Sequence, residues 1–295
     1  MAERNDAPVF YNPVVPVQYD GDHKFNFRCY KGIDCFNACC SAIDITLTPY
    51  DIVRLKQRLD LSSSEFLAQY AVPFELEKDG IAGVKLRTKD DGTACQFMTE
   101  EGCSVYEDRP TACRYYPVGL VALRRQDEYV DRNSYALVKE EHCHGHNEAE
   151  EWTIDEYREN QGIPEYDEHA RGWRQLILKK KSSGPTVGKP SKRSLQLFFM
   201  ASYDIDRFRM FIASDGFRNS FEVEEELYLK LLQDDVELLE FSYRFLKQVL
   251  FGEESIPVRE AAREQWEARQ AEVPEPVVEA DPKEYDPALD PIDLN

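Results

Sequence analysis

Eight cysteines occur in this chain, and all of them fall in its first half: Cys29, Cys35, Cys39, Cys40, Cys95, Cys103, Cys113 and Cys143. No other feature constrains the fold as much. Thiols patterned in this way form disulfides in an oxidising compartment, whereas in a reducing one they bind metal or do catalysis. The choice turns on targeting. Residues 1–6 lack the basic start and apolar stretch of a secretory signal. The longest run without charge, residues 7–19, is shorter than the roughly 20 apolar residues of a spanning helix, and it contains Pro8, Pro13 and Pro16. Residues 115–123 form a shorter run still. The expectation is a cytoplasmic protein with no membrane span, whose cysteines bind metal.

Local signals divide the chain unevenly. Thr48 precedes Pro49 and is followed by Asp51, which predicts a capped helix carrying Ile52, Leu55 and Leu59 on one face. Ser62 with Glu65 makes a second capping box and opens a short helix through Tyr70. Val84, Leu86 and Thr88 alternate with charged residues as a half-exposed strand does, and Asp90-Asp91-Gly92 marks a turn. Residues 95–98 and 103–106 flank Glu101-Gly102 as a hairpin, and residues 118–123 and 129–138 form a further strand pair. From Thr153, capped toward Glu156, the pattern is helical. It includes a helix over residues 165–181 and a long one over residues 221–250, on which Tyr228, Leu232, Val236, Leu239, Tyr243, Leu246 and Leu250 recur at steps of three or four. The fold class is therefore α+β, with small antiparallel hairpins and short helices carrying the cysteines, followed by a mainly α-helical C-terminal half. The expected organisation is an extended segment (1–24), a cysteine-cluster domain (25–150), a helical region (151–270) with a loop near 182–191, and an acidic Pro-rich disordered tail (271–295).

The first cluster places Cys29, Cys35, Cys39 and Cys40 within twelve positions. Neighbouring cysteines such as Cys39 and Cys40 close a disulfide with each other only in a strained ring, so ligation of a soft or borderline metal explains them with less strain. Turns at Gly32 and Asn37 would let the chain curl so that several sulfurs converge. A cysteine such as Cys29 or Cys143, taken alone, also fits the description of a small buried apolar residue. The second cluster holds Cys95, Cys103 and Cys113, and here Asp108 is expected to cap the short helix that Pro110 starts, one turn ahead of Cys113.

The early cluster ending in Cys39-Cys40, then Gly102-Cys103-Ser104-Val105-Tyr106-Glu107-Asp108-Arg109-Pro110 and Cys113-Arg114-Tyr115-Tyr116-Pro117, resembles the CxxCxxCC-type zinc- or iron-chelating family, also called YkgJ-like cysteine cluster proteins. The resemblance runs over roughly residues 25–147. It implies that Cys35, Cys39, Cys40, Cys95, Cys103 and Cys113 are metal-site cysteines, with Cys29 and Cys143 as additions. The spacing departs from the pattern, since three residues separate Cys35 from Cys39 and five separate Cys29 from Cys35.

Eight sulfurs exceed the four needed for a tetrahedral zinc or one four-iron cluster, so two sites, or one site with extra thiols, are open. An iron-sulfur cluster tolerates one dense loop plus distant cysteines, unlike structural zinc sites with their paired short loops, and the resemblance implies such a cluster, with 4Fe-4S as the expected type. Zinc is the alternative. Arg28, Lys31, Arg109, Arg114 and Arg132 lie near the cysteines and could offset thiolate charge, and Arg109 and Arg114, inside the matched motif, are expected to have a structural or electrostatic role. Imidazoles of His142, His144 or His146 could replace one thiolate, while His23 and His169 stand apart.

With 56 acidic against 36 basic residues, the net charge of −20 argues against nonspecific nucleic-acid binding. No phosphate loop, dinucleotide fingerprint or nucleophile elbow occurs. The leading expectation is a metal-binding protein with a redox, sensing or metal-handling role. A structural zinc module that binds a protein partner is the second reading. A third comes from flagellin lysine-N-methylase, which shares the cysteine-cluster type; that resemblance implies methyl transfer to protein.

Overall fold

The computed structural model describes residues 17–77, 81–122, 133–182 and 190–264. In chain order the elements are β1 (Lys24–Asn26), α1 (Ala38–Ser41), α2 (Pro49–Leu59), α3 (Ser63–Tyr70), β2 (Ala71–Glu77), β3 (Ile81–Leu86), β4 (Met98–Thr99), β5 (Gly102–Cys103), α4 (Thr111–Tyr115), β6 (Val118–Ala122), β7 (Asn133–Leu137) and β8 (Glu151–Thr153). Helices follow: α5 (Ile154–Asn160), α6 (Ile163–Ser182), α7 (Lys192–Tyr203), α8 (Ile205–Ala213), α9 (Asp215–Ser220), α10 (Glu225–Gln233) and α11 (Asp235–Phe251). The strands form two-stranded sheets only, pairing β1 with β8, β2 with β3, β4 with β5 and β6 with β7. This is the expected α+β arrangement. The chain divides into two compact units, Met1–Leu61 with Lys85–Arg171, and Ser62–Val84 with Gly172–Asn295.

In the first unit the sheets are too small to be stable alone and depend on a shared apolar core. Phe25, Phe27, Tyr115, Val118, Tyr135, Leu137, Ile154, Tyr157 and Ile163 form it, with Tyr116, Cys143 and Trp152 packed against its edge. Phe25 pairs with Trp152 across the antiparallel β1–β8 register, and Val118 with Leu137 across β6–β7. The expected hairpin of the second cluster is present, with Met98 opposite Cys103, although each of its strands is two residues long. The expected turn of the β6–β7 pair, and Arg132, lie outside the described residues.

α2 begins as its sequence predicts. Thr48 accepts from the Asp51 N–H, the Asp51 carboxylate accepts from the Thr48 N–H, and Pro49 occupies the first turn. α5 begins in the same way on Thr153 and Glu156.

In the second unit, α3 opens on the Ser62–Glu65 capping box. Its N-terminus is tied to the start of α8: the Ser63 and Ser64 hydroxyls donate to Asp204, and the Ser63 N–H donates to Asp206. Phe208, Phe211, Phe217, Phe221, Phe241 and Phe245 make an aromatic core between α8, α9 and α11. The single helix expected over residues 221–250 is instead α10 and α11. Asp234 adopts an extended conformation (φ −111°, ψ 119°), and its carboxylate accepts from the Val236 and Glu237 N–H groups. An N-cap aspartate restarts the helix there. The apolar spacing carries on in step across the break, which is why periodicity alone reads as one helix. The expected tail lies outside the described residues.

Candidate metal centre

The first unit builds its cysteine-bearing surface from short turns. Gly32 (φ +114°) and Asn37 (φ +67°) take left-handed conformations, so the chain between Cys29 and Cys40 reverses twice, at the positions where turns were expected. The Asn37 side chain donates to the Thr99 carbonyl at 2.8 Å, fixing α1 against the β4–β5 hairpin. α1 carries Cys39 and Cys40, whose Sγ atoms stand 3.9 Å apart. The Cys95 N–H donates to the Cys40 carbonyl at 2.8 Å, and Cys95 also bridges to Thr88. Cys143 follows a turn closed by its own N–H on Glu140, and the next N–H, that of His144, donates to Cys35 Sγ at 3.2 Å.

Cys113 sits in the middle of α4, which the structure anchors differently from expectation. Asp108 does not cap this helix; its carboxylate accepts two bonds from Arg54, at 3.0 and 2.7 Å. The start of α4 is satisfied by Asp51, whose Oδ1 accepts the Thr111 N–H at 2.8 Å and the Thr111 hydroxyl at 2.7 Å. Asp108 is recruited by a cation on α2, and a carboxylate 60 residues before Thr111 takes its place. A buried carboxylate needs such donors. Burial raises the Asp51 pKa, and the Thr111 and Thr48 donors oppose that shift.

All eight cysteines line one cavity of about 440 Å³. Phe27, Phe36, Ile43, Ile45, Leu86, Phe97, Tyr116 and Tyr157 make its apolar walls; Arg28, Asn37, Glu101, Arg109, His142 and Gln161 add polar groups. Every cysteine is a free thiol. Among the described residues, no three His, Cys, Asp or Glu side chains stand close enough to hold one ion as they are. The sulfurs thus ring a space instead of closing on a point, and a metal bound there would have to draw them inward.

Electrostatics within the ring follow from burial and crowding. Cys29 is pushed up to about 11, first by burial and then by the neighbouring sulfurs of Cys39, Cys35 and Cys143. Burial likewise raises Cys95, Cys103 and Cys113, with neighbouring thiolates adding to the effect. Cys40 is held up as the hydrogen-bond donor to Cys39, and Cys39 is lowered to about 7 by accepting that bond. Thiolates packed this tightly repel one another unless a cation sits among them. A soft or borderline metal ion suits an all-sulfur donor set of this kind, so the residues present fit the group.

The basic residues divide. Arg109 lines the cavity and favours the Cys103 thiolate, while its guanidinium donates to the Tyr106 carbonyl and to Gln161. Arg28 lines the cavity too, and Lys31 pairs with Glu101 on the exposed rim. Arg114 is a structural clamp. It is buried and donates to the carbonyls of Arg109 (3.1 Å), Gln161 (2.8 Å) and Glu107 and to the Tyr166 hydroxyl (2.9 Å).

Of the histidines, His142 lines the cavity and contacts Glu140, whereas the His146 ring bonds the Val138 carbonyl at 3.0 Å and contacts Phe27 edge-on. Sequence reading passed over Tyr116, which donates to Glu140 at 2.9 Å and also hydrogen-bonds Cys143. Its place inside Cys113-Arg114-Tyr115-Tyr116-Pro117 was the one available signal.

A compact unit of turns and hairpins thus gathers eight thiols on one cavity, the arrangement of a cysteine-cluster domain. Residues 28–153 match the CxxCxxCC family model, described as a putative zinc- or iron-chelating domain. No curated protein and no solved structure matches the chain. Among the described residues, no helix is long and apolar enough to cross a membrane.

Proposed function

We propose that this protein is a cytoplasmic iron-sulfur protein, holding a cluster of the 4Fe-4S type through its eight-cysteine site in a redox, sensing or metal-handling role. The observation that carries the reading is that cysteines from four separate stretches of chain all border a single cavity. A donor set made of one dense loop and distant cysteines favours a cluster over a closed structural zinc site, whose ligands come in paired short loops. When bound, such a cluster supplies one-electron chemistry. The chain's own residues set its surroundings: Phe27, Phe97 and Leu86 exclude water from the sulfurs, and Arg109 offsets their negative charge.

Purification without oxygen tests the reading. The expected product is brown, absorbs broadly near ~400 nm, contains iron and acid-labile sulfide, and gives a paramagnetic signal on reduction. A colourless protein with stoichiometric zinc would overturn the iron-sulfur assignment in favour of a structural zinc module.

A further inference from the structure

Charge is distributed unevenly along the chain. Acidic residues number 56 of 295, yet none occurs between Glu168 and Asp204, a stretch that holds eight lysines and arginines. The opposite extreme is residues 271–295, with eight acids and one lysine. Metal binding by the cysteines uses neither stretch.

The second unit gathers its part of the basic stretch at one place. Trp173 on α6 meets Tyr203, the last residue of α7, with ring centroids 6.4 Å apart. Consecutive helices in contact and joined by a short link run antiparallel, which brings Lys181, Lys192 and Arg193 to one end of the pair. All three are exposed. Lys179 lies one half-turn before Lys181, pairs with Glu253 and stands over the Phe251 ring at 4.9 Å, so the end of α11 lies beside the same basic end. Like charges gathered in this way repel one another, and an anionic chain laid across them would turn that repulsion into attraction.

We propose that residues 271–295 seat on this basic end of the α6–α7 pair as an internal acidic ligand. Charge complementarity selects them: eight carboxylates answer the one part of the sequence that lacks any. A foreign polyanion is repelled at long range by the net charge of −20, whereas a tethered segment is already present at high effective concentration. Reach is sufficient. Val258 bridges to Phe221, whose ring meets Phe245 on α11. That helix of 17 residues is about 25 Å long, so roughly ten extended residues beyond 264, at about 3.3 Å each, span its length. The acids from Glu275 to Asp293 then remain to lie on the basic end. The seating does not involve the cysteines, so it can fail without touching metal binding.

Carbodiimide coupling of the full-length chain tests the contact, because it joins a lysine amine to a carboxylate only where the two meet. Peptide mass analysis should find carboxylates of residues 272–293 coupled within one chain to Lys181 or Lys192, several-fold more often than to Lys230, an exposed lysine of the same unit. In about 1 M salt, where the screening length is about 3 Å, this preference should vanish. Amide NMR supplies a second reading that does not depend on coupling chemistry. In a full-length variant with the eight acids replaced by their amides, Glu272→Gln through Asp293→Asn, signals of residues 179–181 and 191–195 should shift while those of α10 stay. Coupling spread evenly over exposed lysines, or unmoved signals at both helix ends, overturns the seating. Coupling found only between two copies of the chain overturns the internal ligand in favour of exchange between molecules.

Discussion

Replacing Asp51 by alanine tests how the fold holds Cys113 in place. The carboxylate accepts the Thr111 N–H at 2.8 Å, the Thr111 hydroxyl at 2.7 Å and the Thr48 N–H at 2.8 Å, and the residue is fully buried. Alanine strands two backbone N–H groups at roughly 1–3 kcal/mol each, which brackets the loss at roughly 2–6 kcal/mol. The Thr111 hydroxyl can turn to another acceptor, which places the expected value near about 4 kcal/mol. Asn keeps one oxygen for Thr111 and turns its amide toward the Thr48 N–H, so it strands one group and costs about 1–3 kcal/mol. Urea unfolding followed by tryptophan fluorescence gives the global figure. Hydrogen exchange over residues 111–115 gives the local one, and protection there should fall in the alanine variant more than in the asparagine variant. An alanine variant that loses under about 1 kcal/mol with α4 still protected would refute the idea that this carboxylate holds the helix.

Other perturbations read the same architecture. A methyl group on Gly145 would lie 2.8 Å from the Phe27 ring and 2.9 Å from the Arg28 carbonyl. Gly145→Ala should therefore cost about 1–3 kcal/mol in a thermal melt and loosen the packing of Phe27 and Arg28 on the turn that follows Cys143. Arg114→Ala should lower metal content in the purified protein by releasing the three carbonyls and the Tyr166 hydroxyl that Arg114 holds, and Arg114→Lys should not restore it, because one ammonium cannot span that fork. Unchanged metal in Arg114→Ala would contradict the clamp. The Thr153 backbone N–H and hydroxyl hold the Glu156 carboxylate below its ordinary value of 4.5. Its support of α5 is present above that value and fades as pH falls through the lower folded value. Carboxyl chemical shifts followed by NMR should show the depressed midpoint, and Glu156→Gln should abolish this part of the acid sensitivity of α5.

Much of the local structure could be read from residues close together in the chain. The capping boxes at Thr48, Ser62 and Thr153 form as their spacing predicts, because donor and acceptor are three residues apart and need no outside partner. The turns at Gly32 and Asn37 follow from residues that tolerate left-handed backbone. Two expectations failed where a distant or less regular contact won. Asp108 is drawn to Arg54 instead of its own helix, and Asp234 stops a helix whose apolar spacing never falters. Of the two roles open to Arg114 in the sequence, structural or electrostatic, its bonds to backbone carbonyls give the structural one.

The amino-acid order by itself determined the chemistry on offer: eight sulfurs, their clustering, and the helices that begin around them, since these depend on residue identity and neighbours a few positions apart. Only the tertiary structure decided that Asp51 reaches Thr111 and that every thiol borders one cavity. Those outcomes depend on hydrogen bonds and packing between segments that are far apart in the chain, and long-range contacts of that kind leave no periodic mark in the sequence.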